Sequence, residues 1–385
     1  MMLRQSVLSL LIIDIVGVEN APPIVGAIWA LNVLPGAFLS IFAGIIVDHY
    51  DKRRILNITA CISMVIGGLL AFLAYQDAHH IAIWKIVTLM AFTGFVNSID
   101  GVARNAILKD ASKNASHDRL AAVIFSSLYT FGMILGNGLA GHLVLAFGYG
   151  NTFMLNVFSF VVLIYGLSRM DFSHNTARVR TSSVFTGITK KIWEGVAYTT
   201  HEKGIRICIL LAGGITVFGF GYNVILAIIA KQMFHGGPRE YSYLATAVGF
   251  GSMAGAVSAA LWSEHRPKAF MVIGCLVAGI GQITFAYMTN IKFAEVACFF
   301  CGFGFMASFS PPRGAIMHMV KKQYAGTVLG ITFMFFYGGM VVSALVSGYV
   351  AKHYGCPSVL MICGSMLLLI GVATPFLPGI EEIHK

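Results

Sequence analysis

Charge is what this sequence has least of. Only 11% of its 385 residues are Asp, Glu, Lys or Arg, against about 25% in a typical soluble domain. Hydrophobic residues make up 57% of the chain and the mean hydropathy is +0.79. That deficit excludes a surface made for water. The chain also lacks a Gly-x-x-x-x-Gly-Lys-Ser/Thr phosphate loop, so nothing supports ATP-driven work within it. It has no His or Cys cluster with metal-ligand spacing and no readable nucleophile–base pair. No enzyme activity, metal or cofactor is therefore expected. The seven cysteines are odd in number, and all but Cys356 fall in apolar runs, which argues against a disulfide framework. Cys298-x-x-Cys301 has the spacing of a metal or redox pair but neither a second pair nor a basic neighbour. Buried packing thiols are expected there.

What is present in abundance is apolar sequence of membrane-crossing length, about 20 residues per helix. Runs near 3–18, 24–47, 55–75, 81–103, 120–146, 151–168, 205–230, 241–262, 268–289, 293–318, 325–350 and 357–378 predict twelve transmembrane helices. The first run is short and contains Asp14. A secretory signal with Arg4 as its charged end is opposed by that Asp14 and by the lack of an Ala-x-Ala site, so a truncated first helix is expected. The net charge of +10 is not spread evenly. Seventeen Lys and Arg fall in one set of alternating loops and five in the other, which places the first set in the cytoplasm by the positive-inside rule. This distribution accounts for the charge without nucleic acid. The longest polar stretch, about 169–204, separates 1–168 from 205–385 as a linker between two halves. Within it Val184, Ile188, Ile192 and Val196 recur every four residues, the pattern of an amphipathic helix lying on the membrane surface.

The two halves resemble each other. Gly94-Phe95-x-x-Ser98 and Arg104-Asn-Ala-Ile107 match Gly304-Phe305-x-x-Ser308 and Arg313-Gly-Ala-Ile316. Gly132, Gly141 and Gly148 fall opposite Gly339, Gly348 and Gly355 at an offset of 207 residues. The repeat unit is six helices, and parallel six-helix repeats are one layout of secondary transporters.

Between the second and third runs stands Gly44-Ile-Ile-Val-Asp48-His-Tyr-Asp51-Lys52-Arg53-Arg54. It resembles the loop motif of the major facilitator superfamily, with Asp51 and His49 where many members have Gly and Arg. The resemblance implies an all-α membrane fold of twelve helices in two six-helix pseudo-repeats. It also implies that Gly44, Asp48, Lys52, Arg53 and Arg54 form a conformational latch. Gly132-x-x-x-Gly136-Asn137-x-x-x-Gly141 is similar to the glycine-rich antiporter motif of exporters in the superfamily, with Asn137 replacing the usual Pro. These small residues are expected to pack helices closely. The segment from Gly94 to Phe160 is most similar to the drug and siderophore exporter branch, through Ala103-Arg104 and Asn156-x-x-Ser159-Phe160. The turn Ser263-Glu-His-Arg266-Pro267-Lys268 is similar as well.

Ionisable groups within a membrane are costly and so are functional candidates. Asp100 and Arg104 share a helix face. Either Asp100 exchanges a proton tuned by Arg104, or the two form a structural ion pair, with Arg104 reaching Asp48. Asp14 is a second coupling candidate, with an interfacial carboxylate as its plain alternative. Arg313, the repeat counterpart of Arg104, completes the set. Asn97, Asn137, Asn156, Asn223 and Gln282 are expected to bridge helices or line a cavity. His142 and His318 read as satisfied interfacial histidines. Phe131, Phe218, Tyr222, Phe333, Phe335, Phe336 and Tyr337 suit a cavity for large, partly aromatic molecules and suit lipid-facing packing equally.

The expected function is secondary transport by alternating access: proton-coupled efflux of a siderophore or hydrophobic drug, by a monomer in a bacterial inner membrane. Uptake of a small metabolite is the alternative within transport, and a non-transporting membrane scaffold the alternative outside it.

Overall fold

The structure is a computed structural model describing residues 2–76, 81–111, 115–169, 194–262, 266–321 and 324–377. The side chains at 40–46, 48–49, 105–106, 108–129, 317–318 and 325–326 also lie outside the description. Among the described residues there are helices and no strands, and a helix satisfies its own backbone hydrogen bonds within a bilayer. The first repeat comprises α1 (Met2–Val16), α2 (Ala21–His49), α3 (Lys52–Tyr75), α4 (Ile83–Ala111) and α5 (Ala115–Arg169). A short helix, α6 (194–201), follows. The second repeat comprises α7 (Lys203–Gly219), α8 (Gly221–Gln232), α9 (Pro238–Trp262), α10 (Pro267–Ala286), α11 (Ile291–Met319), α12 (Ala325–Tyr354) and α13 (Cys356–Ala373).

Among the described residues ten segments are long and apolar enough to cross a membrane, and one of them, Thr130–Arg169, is 40 residues long. That length is two crossings, because α5 bends at Gly148 (φ 76°, ψ 171°). The short α1 completes twelve. The same hinge occurs between α12 and α13, at Gly355 (φ 82°, ψ 162°). Both glycines sit in a backbone region essentially closed to residues with a Cβ. They are the pair that the 207-residue repeat places opposite one another, so the sequence symmetry is also a symmetry of turns.

The segment expected as one helix over 205–230 is broken at Phe220 into α7 and α8. Breaking a helix in a membrane frees backbone groups that other parts of the protein must satisfy. Here the fully buried Gln282 of α10 donates from Nε2 to the Phe218 carbonyl at 3.2 Å, beside the break. The amphipathic helix expected over Val184 to Val196 lies almost wholly outside the described residues. Of its four apolar residues only Val196 is described, in α6, which docks on the second repeat: Tyr198 stacks on Tyr324 with centroids 4.6 Å apart.

The end of the bundle where Arg53 of the Lys52–Arg54 cluster meets Ser168, next to Arg169, is called here the basic end. The opposite, sparse end carries Gly17, Lys231, Pro238 and Gly355.

Candidate functional site

At the sparse end the two repeats are tied together. Asp14, near the end of α1, accepts from Lys231 Nζ of α8 at 2.8 Å. The Tyr149 hydroxyl, one residue past the α5 hinge, donates to the other Asp14 oxygen. Deeper along α1, the Tyr241 hydroxyl of α9 donates to Ser6 Oγ at 2.7 Å, and Ser6 donates to Asn137 Oδ1 of α5 at 2.9 Å. Small residues let the helices approach closely enough for these bonds. A Cβ at Gly141 would sit 1.6 Å from the Pro238 carbonyl oxygen, and the Gly141 amide donates to Ser242 Oγ at 2.8 Å. A Cβ at Gly26 of α2 would lie 2.4 Å from the Ala344 carbonyl oxygen of α12, and one at Gly348 would lie 2.7 Å from that of Pro22.

Of the expected packing glycines, Gly141 faces the other repeat and Gly136 faces the backbone of Leu3 on α1. Gly132 does not belong with them, because it is exposed and a Cβ there would meet nothing. Gly138 was not singled out, yet a Cβ on it would meet Thr246 Oγ1 at 2.3 Å. Asn137 replaces the motif's Pro and spends its side chain on the bond from Ser6. The glycines in the motif are therefore not equivalent, and only depth and facing distinguish them.

At the basic end, Asp51 caps α3, accepting from the Arg53 amide at 2.9 Å. Arg53 Nη2 donates to the Ser168 carbonyl at the end of α5 at 2.6 Å, joining the loop to the far end of its own repeat. Arg54 Nε lies 3.9 Å from Asp51. Gly44 and the Asp48 side chain, the core of the expected latch, lie outside the description, as does the side chain of His318.

Arg104 Nε donates to Asp100 Oδ2 at 2.5 Å, and Thr59 Oγ1 donates to Asp100 Oδ1 at 3.0 Å. The carboxylate thus has both oxygens engaged. Arg313 stands in the corresponding place on α11 with no carboxylate four residues before it. Its Cζ lies 5.5 Å from the centroid of Phe309 and 5.1 Å from that of Phe333.

Those rings belong to a continuous aromatic path. It starts at Trp29 of α2 and passes to Phe220 at the helix break (5.6 Å), then to Phe305 (6.3 Å) and Phe309 (5.8 Å) of α11. From Phe309 it runs to Phe336 (4.7 Å) and Tyr337 (5.3 Å) of α12. It crosses between the repeats at Trp29–Phe220. It returns to α2 at Gly36, where a Cβ would lie 3.3 Å from the Tyr337 ring. Of the aromatics expected to line a cavity, Phe333, Phe336 and Tyr337 belong to this cluster. Tyr222 is a core residue at 1% exposure, while Phe131 and Phe335 are exposed.

Of the other polar candidates, Asn97 Nδ2 approaches Asn32 Oδ1 at 3.4 Å, and His142 packs edge-on against Tyr243 at 5.5 Å. Cys298 and Cys301 are free and fully buried, and no metal-holding cluster occurs among the described residues. Arg4, which in sequence resembles the charged end of a secretory signal, is a buried residue of α1. It lies in the interior at 1% exposure, and its Nη1 has no partner among the described residues. A lone Arg in an apolar run is the signal that could have marked it.

A twelve-crossing bundle of two six-helix repeats with a broken helix at their interface is the architecture of a major facilitator transporter. More narrowly, the chain belongs to the family described as transmembrane secretion effector, whose profile matches residues 2–383. The multidrug efflux pump Tap of Mycolicibacterium fortuitum is 23% identical over 363 residues, covering 91% of this chain and 86% of the pump. Macrolide efflux protein A of Streptococcus pyogenes is 19% identical over 361 residues, covering 92% of this chain and 86% of that protein. The staphyloferrin A transporter of Staphylococcus aureus is 23% identical over 267 residues, covering 68% of this chain and 61% of that one. Among solved structures, the nucleoside transporter NupG superposes with a TM-score of 0.69 at 14% identity, covering 98% of this chain and 96% of NupG. At that identity the likeness is one of fold.

Proposed function

We propose that this major facilitator protein is a secondary active exporter that works by alternating access and moves a siderophore or hydrophobic drug out of a bacterial cell across its inner membrane. The observation that supports the mechanism is the set of ties between the repeats at the sparse end, Asp14–Lys231 and Gly141–Pro238 among them. A bundle closed at one end in this way is one of the two states that alternating access requires. The exported class is supported by the names of the relatives, two efflux pumps and a siderophore transporter.

We take the two repeats as the moving bodies, with the residues near Gly44–Arg54 as a latch at the basic end and the Asp14–Lys231 pair as its counterpart at the sparse end. The coupling ion in this reading is the proton. Asp14, 40% exposed at the sparse end, is the carboxylate best placed to take it, since protonation removes the charge that holds Lys231. Asp100 fits a structural pair better, because Arg104 and Thr59 occupy both of its oxygens.

The test is export from cells stripped of their own pumps. Cells making the protein are expected to retain less macrolide or siderophore than cells making an Asp14→Ala variant at equal membrane abundance, and a protonophore is expected to abolish the difference. Equal retention in all of them, across both compound classes, would count against export.

A further inference from the structure

We propose that Arg313 and the rings around it form a recognition site for an anionic cargo bearing a flat apolar group. The proposal rests on the transport reading above and gives its cargo a charge. Its starting point is a difference between the repeats. Arg104 and Arg313 occupy corresponding positions, and Asp100, four residues before Arg104, neutralises it at 2.5 Å. Four residues before Arg313 stands Phe309, and the guanidinium is held by two ring faces instead, at 5.5 and 5.1 Å. It has no hydrogen bond or ion pair from the described residues.

A guanidinium carries five N–H donors in the fork that matches a carboxylate, and no described residue accepts from those of Arg313. A cation within a membrane bundle is costly to leave without a counter-charge. A mobile anion would supply to Arg313 what Asp100 supplies to Arg104. The neighbouring rings would cover whatever flat apolar group the anion carries. The site also lies where cargo would have to pass, since Tyr337 packs on Gly36 of the other repeat and the ring path continues to Trp29 beside the helix break. Arg4 is an independent second sign. It lies deep in the interior, and among the described residues neither its Nη1 nor the neighbouring Gln5 Nε2 has a partner. The bundle therefore holds two guanidinium groups that no described carboxylate neutralises.

The experiment compares three probes of one shape, 1-naphthoate, 1-naphthamide and 1-naphthylmethylammonium, by equilibrium dialysis against the full chain in lipid nanodiscs. We expect naphthoate to bind about tenfold or more tighter than the amide, and the ammonium to bind weakest. Arg313→Gln should lower naphthoate affinity about tenfold and leave amide affinity unchanged, the unchanged amide also reporting an intact fold. Arg313→Lys, which keeps the charge and loses the fork, should fall between. Should the Gln variant fail to fold, the Lys variant alone decides, by its selective loss of naphthoate. Failure of naphthoate to bind, equal binding of all three probes, or naphthoate affinity unchanged in both variants would overturn the proposal. Its failure is separable from that of the transport reading. Export of a neutral or cationic compound without naphthoate binding would sink the anion site alone. Arg313-dependent naphthoate binding without movement of any solute would sink transport alone.

Discussion

If Asp14 and Lys231 hold the sparse end shut, replacing Asp14 with Asn should shift the protein toward the state open at that end. The two side chains are 40% and 41% exposed, so the ion pair is worth only what a surface pair is worth, about 0.2–1 kcal/mol. The bond from the Tyr149 hydroxyl is part of the same contact and weakens with it. A combined loss of about 1 kcal/mol changes the ratio of closed to open molecules about fivefold. Spin labels at Lys85 and Lys292, exposed at the sparse ends of different repeats, would report that ratio as two distances by electron–electron double resonance. The exposed Cys61 would first be changed to Ser, because the remaining cysteines are buried. Asp14→Asn and Lys231→Ala should each raise the longer-distance population, and together they should raise it no further than either alone. The exchanged pair Asp14→Lys with Lys231→Asp should restore the short distance. Strictly additive single effects, or an exchange that restores nothing, would refute the lock.

Three further outcomes follow from local geometry. Gly141→Ala should destabilise the protein by about 1–3 kcal/mol and lower its thermal midpoint in detergent, because the new Cβ lands on the Pro238 carbonyl. Gly132→Ala, with nothing to meet, should leave that midpoint in place. Gly148→Ala and Gly355→Ala should each cost about 1–3 kcal/mol by the same melting assay, since both demand the same positive φ; a loss at only one would break the symmetry between the hinges. Asp100→Asn should weaken the tie of α4 to Arg104 and Thr59 and lower the melting midpoint, while leaving proton-coupled transport by the surviving protein in place. Loss of coupling at full stability would restore Asp100 as a proton carrier.

Much of this fold was legible in the chain. Helix number followed from apolar length, and the repeat followed from glycines at a fixed offset. The hinge pair Gly148 and Gly355 shows why: a backbone conformation that excludes side chains leaves a residue-level mark. The break at Phe220 left no such mark, because its residues are as apolar as their neighbours and the compensating Gln282 lies 62 residues further along the chain. The pairing of Asp14 with Lys231 was equally hidden, since each reads alone as an interfacial charge and only the packing of α1 beside α8 brings them together. Asp51 looked like a departure from a motif and is the cap of α3. Arg313 entered the sequence reading only as a repeat match. Its significance lies in the absence of an acid beside it, which the repeat alignment contains once Phe309 is set against Asp100.

Proton-coupled export can be watched as proton release from inverted membrane vesicles, acidified inside and carrying this protein, as siderophores and macrolides are added one at a time. One class should discharge the gradient, and vesicles carrying the Asp14→Asn variant should not respond to it. Silence toward every compound, from protein shown to be folded in those vesicles, would contradict proton-coupled export.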